Sequence, residues 1–312
     1  MDLALALKDA KPNDTLQLPG GRYTGTFLID KPLTILARGQ VVLDAQHAGP
    51  VLTIATDGLV RISGCTVVGG NAREAGGGIE LKSGKLELSD SVVRFNKAPA
   101  YGGGGLFIAG TAQALVTRCR FEANTGRQGG GILVDDEGVL RLEHSALVQN
   151  AAVEGGGLRV KEGAKVDVFA CTLADNKVVG DEASGGAVSL AGTTTRAPTL
   201  TMSHCVLSER ARGPALIANW PKHPGTLSLT RSLLPEWAKG LGTDCLYAAA
   251  GFTMSGAEPY QLSESSVAVG RGDASAFEAG AKDVLGRPRL KGQRADLGAF
   301  AFIPGGSSSL PY

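Results

Sequence analysis

Five glycine phrases constrain this chain more than any other feature. They read Gly76-Gly-Gly-Ile79, Gly103-Gly-Gly-Leu106, Gly129-Gly-Gly-Ile132, Gly155-Gly-Gly-Leu158 and Gly185-Gly-Ala-Val188. Their last glycines, at 78, 105, 131, 157 and 186, are separated by 27, 26, 26 and 29 residues. A second phrase keeps the same beat and ends in Asn96, Asn124, Asn150 and Asn176, as in Phe121-Glu-Ala-Asn124. A fixed period in this range is the mark of a solenoid.

A third column fixes the register. Cys65, Ser91, Cys119, Ser145, Cys171, Cys205 and Ser232 recur through the repeats. Five residues before each stands Val60, Leu86, Ala114, Leu140, Val166, Leu200 or Leu227. Three before stands Ile62, Leu88, Val116, Leu142, Val168, Met202 or Leu229. Two after stands Val67, Val93, Phe121, Leu147, Leu173, Leu207 or Leu234. Apolar residues alternating with polar ones at period two give strands with one face inward. Each repeat then carries two short strands, and the glycine phrase opens a third. About 26 residues leave no room for a crossover helix, so successive turns pair their strands in parallel. Parallel crossovers are right-handed in about 98% of cases. The expected fold is an all-β, right-handed parallel β-helix of roughly nine to ten turns. Its glycines sit at corners that need positive φ or close backbone approach, and its asparagines stack as an amide ladder.

The predicted organisation has three parts. Residues 1–12 form an N-terminal capping helix, with Asp2 as its cap and Leu3, Leu7 and Ala10 on one face. Such a cap covers the open end of a β-helix. The helix itself occupies 13–302, regular to about 208 and loop-rich over 209–302, and 303–312 is a flexible tail. Gly supplies 45 of 312 residues, an excess that the corners account for. Net charge is +1, which excludes a strong field aimed at nucleic acid or an anionic membrane. No apolar stretch is long enough for a transmembrane helix. Met1–Lys8 does not read as a signal peptide, although a chain that begins after a removed signal would read the same.

Four of the five cysteines fill the inward column and are expected as buried thiols. A bridge between Cys171 and Cys205 is allowed by their adjacent turns but not favoured, and Cys245 falls outside the column. The spacings match no zinc motif.

The opening Pro12-Asn-Asp-Thr-Leu-Gln-Leu-Pro-Gly-Gly-Arg-Tyr23 resembles the start of right-handed β-helix proteins of the pectate-lyase-like superfamily, in which carbohydrate-binding and sugar-hydrolase members are common. The paired glycine and Phe-x-x-Asn phrases are similar to the repeats of bacterial polymorphic outer-membrane proteins, which are surface adhesins. The segment from Ser266 to Phe302 resembles the closing part of secreted bacterial β-helix proteins that carry a C-terminal anchor, with Ala301 where the family phrase has an acidic residue. These resemblances imply a secreted or cell-surface protein; free cysteines leave the cytoplasm as the alternative.

Enzymes on this scaffold need clustered carboxylates plus an Arg or Lys base on one sheet face. Alternation after the glycine corners sends outward Glu80 and Lys82, Phe107 and Ala109, Leu133 and Asp135, Arg159 and Lys161, Val188 and Leu190. Asp135, Asp136, Arg159 and Lys161 therefore gather on neighbouring turns as the candidate catalytic group. A mixed-charge solvated strip is the competing reading. His144, in a second outward strip with Asp90, Arg118, Ala170, His204 and Arg231, is either a catalytic base or an exposed turn histidine. Trp220, Trp237, Tyr247 and Tyr260 either stack on sugar rings or are buried under loops. The first functional reading is a non-catalytic β-helix that binds a glycan or protein partner through Glu80, Lys82, Phe107, Leu133, Asp135, Arg159, Lys161 and Trp220. Phe107, Leu133, Val188 and Leu190 form its apolar patch, covered by a loop from 209–260 or by a partner. The alternatives are a polysaccharide lyase, epimerase or hydrolase, and a spacer that self-assembles into homo-oligomers. No metal or cofactor is expected, with Ca²⁺ reserved for the lyase reading.

Overall fold

The computed structural model describes residues 2–73, 76–180, 185–209, 216–256, 258–290 and 292–304. The chain winds into a right-handed parallel β-helix of about eight turns. Three parallel ladders run along it. The first contains Leu52–Ile54, Ile79–Leu81, Leu106–Ile108, Ile132–Val134, Leu158–Lys161, Val188–Ala191 and Ile217–Asn219 in register. The second stacks Gln113–Thr117 on Val139–Glu143, Lys165–Phe169, Thr199–Ser203 and Thr226–Thr230. The third stacks Val92–Arg94, Arg120–Glu122, Ala146–Val148, Thr172–Ala174 and Val206–Ser208. The three inward columns read from the sequence all point into the core, and every member except Leu227 is buried.

The turn count falls short of nine to ten because the coil stops early. Its last rung pairs Leu233–Leu234 with Leu246–Tyr247. From Ala248 the chain folds back as a strap along the outer face of the third ladder. Tyr260, Ala299 and Phe300 pack on Ala146, Val148 and Ala174, while Ala250, Leu262 and Leu297 pack on Val206 and Leu233. The strap is bonded as well as packed: Ala299 N–H donates to Thr172 Oγ1 at 2.8 Å, and Arg120 meets Glu258 at 2.6 Å. At the other end α1, Leu3–Asp9, closes the core with Leu3 and Leu7 buried. Asp2 caps its first turn by accepting from Leu5 N–H, and Lys31 Nζ donates to the carbonyls of Leu7, Lys8 and Ala10. The expected tail lies, from Gly305 on, outside the described residues.

Two corners of each turn are built alike. One residue enters the left-handed region, and the next carries a side chain that stacks along the axis. At the first corner the left-handed residues are Asp90, Arg118, His144, Ala170, His204 and Arg231, with φ between 45° and 56°. Their own N–H bonds run to the next turn, as from His144 to Phe169 O, whereas the strand beyond bonds back to the previous turn, as from Ala146 to Cys119 O. The reversal leaves one N–H per turn without a carbonyl. The Cys/Ser column answers it. Cys119 N–H donates to Ser145 Oγ at 3.0 Å and Ser145 N–H to Cys171 Sγ at 3.4 Å. Each hydroxyl or thiol then donates to the carbonyl two residues back, as Ser145 Oγ does to Glu143 O at 2.7 Å. Cys and Ser interchange here because both are small and both accept and donate.

Cys245 belongs to this column too, since Ser232 N–H bonds to its sulfur. The sequence spacing concealed it because the last turn, Ser232 to Cys245, is half the usual length. All five thiols are free. Burial raises the pKa of Cys65, Cys119 and Cys205 to about 12 and moves Cys171 up as well. The second corner uses Phe95, Ala123, Gln149 and Asp175 as left-handed residues, followed by the buried Asn96, Asn124, Asn150 and Asn176. Each amide donates to the next Oδ1 at 3.0 Å, and that oxygen also accepts the preceding asparagine's backbone N–H.

At the third corner the middle glycines permit close stacking. A Cβ on Gly130 would lie 2.4 Å from Ala151 O and 2.5 Å from Gly156 O.

Asn150→Leu removes the acceptor of two Asn124 donors and the donor to Phe121 O. It is expected to cost on the order of 3 kcal/mol, read as a lowered urea midpoint at unchanged slope; an unchanged midpoint would dismiss the ladder. In a thiol-labelling time course of the native protein, Cys245, which is half-buried, should react first. Cys65, Cys119, Cys171 and Cys205 should react only on unfolding.

Candidate functional site

The first ladder's outward column is where the candidate residues were expected, and the structure places Glu80, Phe107, Leu133 and Arg159 in it on successive rungs. Two expectations change. Val188 and Leu190 point into the core, not outward, and the residue beside Arg159 is Ser189. The slip arises at Gly185-Gly-Ala-Val188: Ala187, not Gly186, takes the place of Gly157, so alternation starts one residue later. The column is also closed rather than open. Glu80, Phe107, Leu133, Arg159 and Ser189 are all at most 8% exposed. The glycine corners fold back on them; a Cβ on Gly103 would approach Leu133 N to 2.8 Å. No loop from 209–260 is needed to cover the patch.

The rim of this column carries a polar network. Asp135 accepts from Lys161 Nζ at 3.1 Å, from its neighbour Asp136 N–H at 2.9 Å, and from Tyr101 Oη. Lys161 Nζ also donates to Tyr101 Oη at 3.1 Å and lies 5.2 Å from that ring's centroid. Arg159 pairs with Glu154 at 2.5 Å, bonds to Ser189 Oγ and sits 5.7 Å from the ring of Trp220. The sequence reading brought Asp135, Arg159 and Lys161 together but missed Tyr101, which precedes a glycine phrase with no periodic signal of its own. Glu80 pairs with the exposed Lys82 at 3.5 Å. Asp136 leaves the group, turning away on a left-handed backbone to meet Arg196 at 3.2 Å.

Burial opposes the charge on Lys161, but the Asp135 carboxylate and the Tyr101 hydroxyl outweigh it and hold the ammonium above its ordinary pKa. Burial and the hydrogen bond to Asp135 raise Tyr101. Both therefore keep their protons at neutral pH, and neither is a ready base.

His144 lies elsewhere, under the strap. Ala170 sits between His144 and His204 in the corner column, and its small side chain leaves a notch that Phe277 fills. Phe277 stacks on His144 at 6.0 Å, meets His204 edge-on at 5.5 Å and packs on Phe169 at 4.9 Å. The buried Arg289 covers Phe277 from the far side at 5.1 Å. Beside this cluster a cleft of about 510 Å³ opens between the second ladder and residues 276–282. Arg118, Arg141, Glu143, Asp167, Glu278 and Lys282 line it. Among the described residues, no group of three or more His, Cys, Asp or Glu is placed to hold a metal ion, and no helix is long and apolar enough to cross a membrane.

The family model described as "Right handed beta helix region" matches residues 41–213, more than half of the chain. The chain belongs to that right-handed β-helix family. Solved structures are similar to it at low identity. An alginate lyase from Paenibacillus sp. is 17% identical with a TM-score of 0.41, covering 72% of this chain and 94% of that one. Pectate lyase Pel9A is 13% identical with a TM-score of 0.45, covering 96% and 91%. A pectin methylesterase from Aspergillus niger is 12% identical with a TM-score of 0.33, covering 80% and 81%. No curated protein matches the sequence significantly. None of these likenesses assigns a residue or a reaction to this β-helix.

The position of His144 in the β-helix explains its chemistry. Burial, followed by the nearby Arg289 and Arg118, lowers its pKa to about 3. Its Nδ1 is buried without a hydrogen-bond partner. A neutral imidazole stacked on Phe277 is thus part of the strap's seat. A depressed pKa means the unfolded state binds the proton first. Stability is complete above the unfolded value of about 6.5 and is lost progressively as pH falls toward 3. Between pH of about 7 and about 4.5 this one group should remove about 2–3 kcal/mol. His144→Asn keeps a residue that tolerates the left-handed backbone and should flatten that part of the pH profile of the urea midpoint. An identical slope in the variant would refute the assignment.

Proposed function

We propose that this β-helix is a non-catalytic protein that binds an extended, hydroxyl-rich polysaccharide along the outer face of its second ladder, in a secreted or surface assembly. One observation carries the reading. From Glu80 to Ser189 the first ladder's outer face is closed by glycine corners, and from Arg120 on the third is covered by the strap, whereas the second stays open along its length. Its column Arg61, Glu87, Leu115, Arg141, Asp167, Thr201 and Ser228 is exposed or half-exposed on consecutive rungs. Seven rungs at roughly 4.8 Å make a strip about 30 Å long. The cleft at residues 276–282 lies beside its middle.

The charges on this face alternate and pair internally, Arg61 with Glu87 at 2.7 Å and Arg141 with Glu143 at 2.5 Å. Such a surface suits hydroxyl groups, which accept from guanidinium N–H and donate to carboxylate oxygens, better than a polyanion. Binding should accordingly depend weakly on salt. The lyase, epimerase and hydrolase reading needs an unprotonated base near a substrate carbon. Lys161 and Tyr101 keep their protons, and His144, though neutral, is only 8% exposed beneath Phe277 at the edge of the cleft; the reading invokes no cofactor.

Affinity electrophoresis against neutral and uronic-acid polysaccharides tests this. At least one neutral polymer should retard the protein, and Arg141→Ala with Asp167→Ala should weaken retardation about tenfold with folding intact. Release of unsaturated uronides would sink the non-catalytic reading. Sedimentation as a concentration-dependent oligomer with no retardation by any polymer would favour the self-assembling spacer.

A further inference from the structure

A cavity of about 640 Å³ lies beside the last turns of the coil. Its walls are Pro235, Glu236 and Trp237 of the short helix Glu236–Ala238, the strap segment from Ala248 to Met254, and the corner Asp175, Ser208 and Glu209. Trp237 is 39% exposed and Met254 44% at its lip. Phe252 is held edge-on by Tyr260, with ring centroids 5.5 Å apart. The lining contains three carboxyl groups and no Lys, Arg or His among the described residues.

Glu209 is the distinctive member. It ends the asparagine ladder, accepting from the backbone N–H and side-chain amide of Asn176. Its Oε1 is buried and has no hydrogen-bond partner. Asp175, which accepts from Tyr260 Oη at 2.9 Å, adds negative charge beside it. The site therefore combines aromatic faces, an apolar wall and a buried acceptor in a negative field. That combination recognises a cation with N–H groups on a hydrocarbon stem.

We propose that this cavity binds a primary ammonium on a short apolar chain, the nitrogen donating to the Glu209 carboxyl group and the chain lying between Trp237 and Phe252. Two sources share this chemistry, a free alkylamine and a lysine side chain. Burial and then the charge of Asp175 raise the pKa of Glu209 to about 9, so its carboxyl is neutral at neutral pH. An ammonium favours the carboxylate. Binding should then release a proton and tighten as pH rises from about 7 toward 9.

The test uses the full chain. In a Trp220→Phe background Trp237 is the only tryptophan and reports occupancy by fluorescence. n-Butylammonium should give a saturable change, and n-butanol, its neutral counterpart, should bind at least about tenfold more weakly. Calorimetry in two buffers of different ionisation enthalpy should show proton release. Glu209→Gln keeps an acceptor for Asn176 and should weaken the ammonium about tenfold while abolishing proton release. Trp237→Ala, at an exposed lip, serves where the Glu209 variant fails to fold and should weaken binding by a similar factor. Binding of capped lysine alongside n-butylammonium points to a side-chain ligand; its failure there points to a free amine. The proposal is overturned if n-butylammonium does not saturate, if n-butanol binds equally well, or if both variants bind as the parent does.

Discussion

A parallel β-helix depends on what happens to the backbone where a strand turns. Between strands the peptide plane rotates, and one N–H per corner loses its counterpart in the neighbouring turn. A buried, unpaired N–H costs about 1–3 kcal/mol, and a coil repeats the deficit at every turn. This protein answers with side chains that stack along the axis at two corners, Cys/Ser at one and Asn at the other. Both columns follow a residue in the left-handed region, which is why each repeats with the period of the coil. The apolar core fills the space inside, but the polar columns fix how the turns register on one another.

That dependence explains what the sequence made legible. Side chains that must stack leave identical residues at a fixed spacing, so the Asn and Cys/Ser columns could be read directly, and the inward apolar columns followed from alternation. Two kinds of information were not periodic and did not come through. Alternation shows that Phe107 and Leu133 face away from the core. It cannot show that the glycine corners fold over them, because closure depends on backbone approach rather than on side-chain pattern. Nor could it place irregular residues: Tyr101 enters the Asp135–Lys161 network from a corner, and the strap carries Phe277 into a notch defined only by the smallness of Ala170. The slip at Ala187 has the same origin. A glycine phrase that shortens by one glycine loses its register mark although the backbone keeps its place.

The three outer faces meet three different fates, and the difference follows from composition. The third ladder presents Ala146, Val148, Ala174 and Val206 outward, an apolar surface that would not stay bare, and the strap buries it. The first ladder presents long side chains but lies under its own corners. The second presents Arg141, Asp167, Thr201 and Ser228, which water solvates well, so nothing needs to cover it. The face available to a ligand is thus the one the core does not recruit. Its residues vary from rung to rung in charge, as expected of a surface free of stacking constraints.

A stacked ladder also has ends, and the ends are chemically unlike the middle. Each asparagine in the column accepts from one neighbour and donates to the next, so the last one, Asn176, has donors left over. Another asparagine would pass the problem on. Glu209 ends it by accepting both the backbone N–H and the side-chain amide of Asn176. That solution has a consequence in low dielectric. The carboxyl has two oxygens, the ladder uses its donors on the group, and Oε1 remains buried without a partner beside Asp175. The asparagine column is thus paired by repetition, and where the repetition stops, at Glu209, a polar atom is left unmet. In this coil that place is also where the short turn and the strap leave a cavity, so the termination of a structural device and the chemistry of a binding site arise from the same residue.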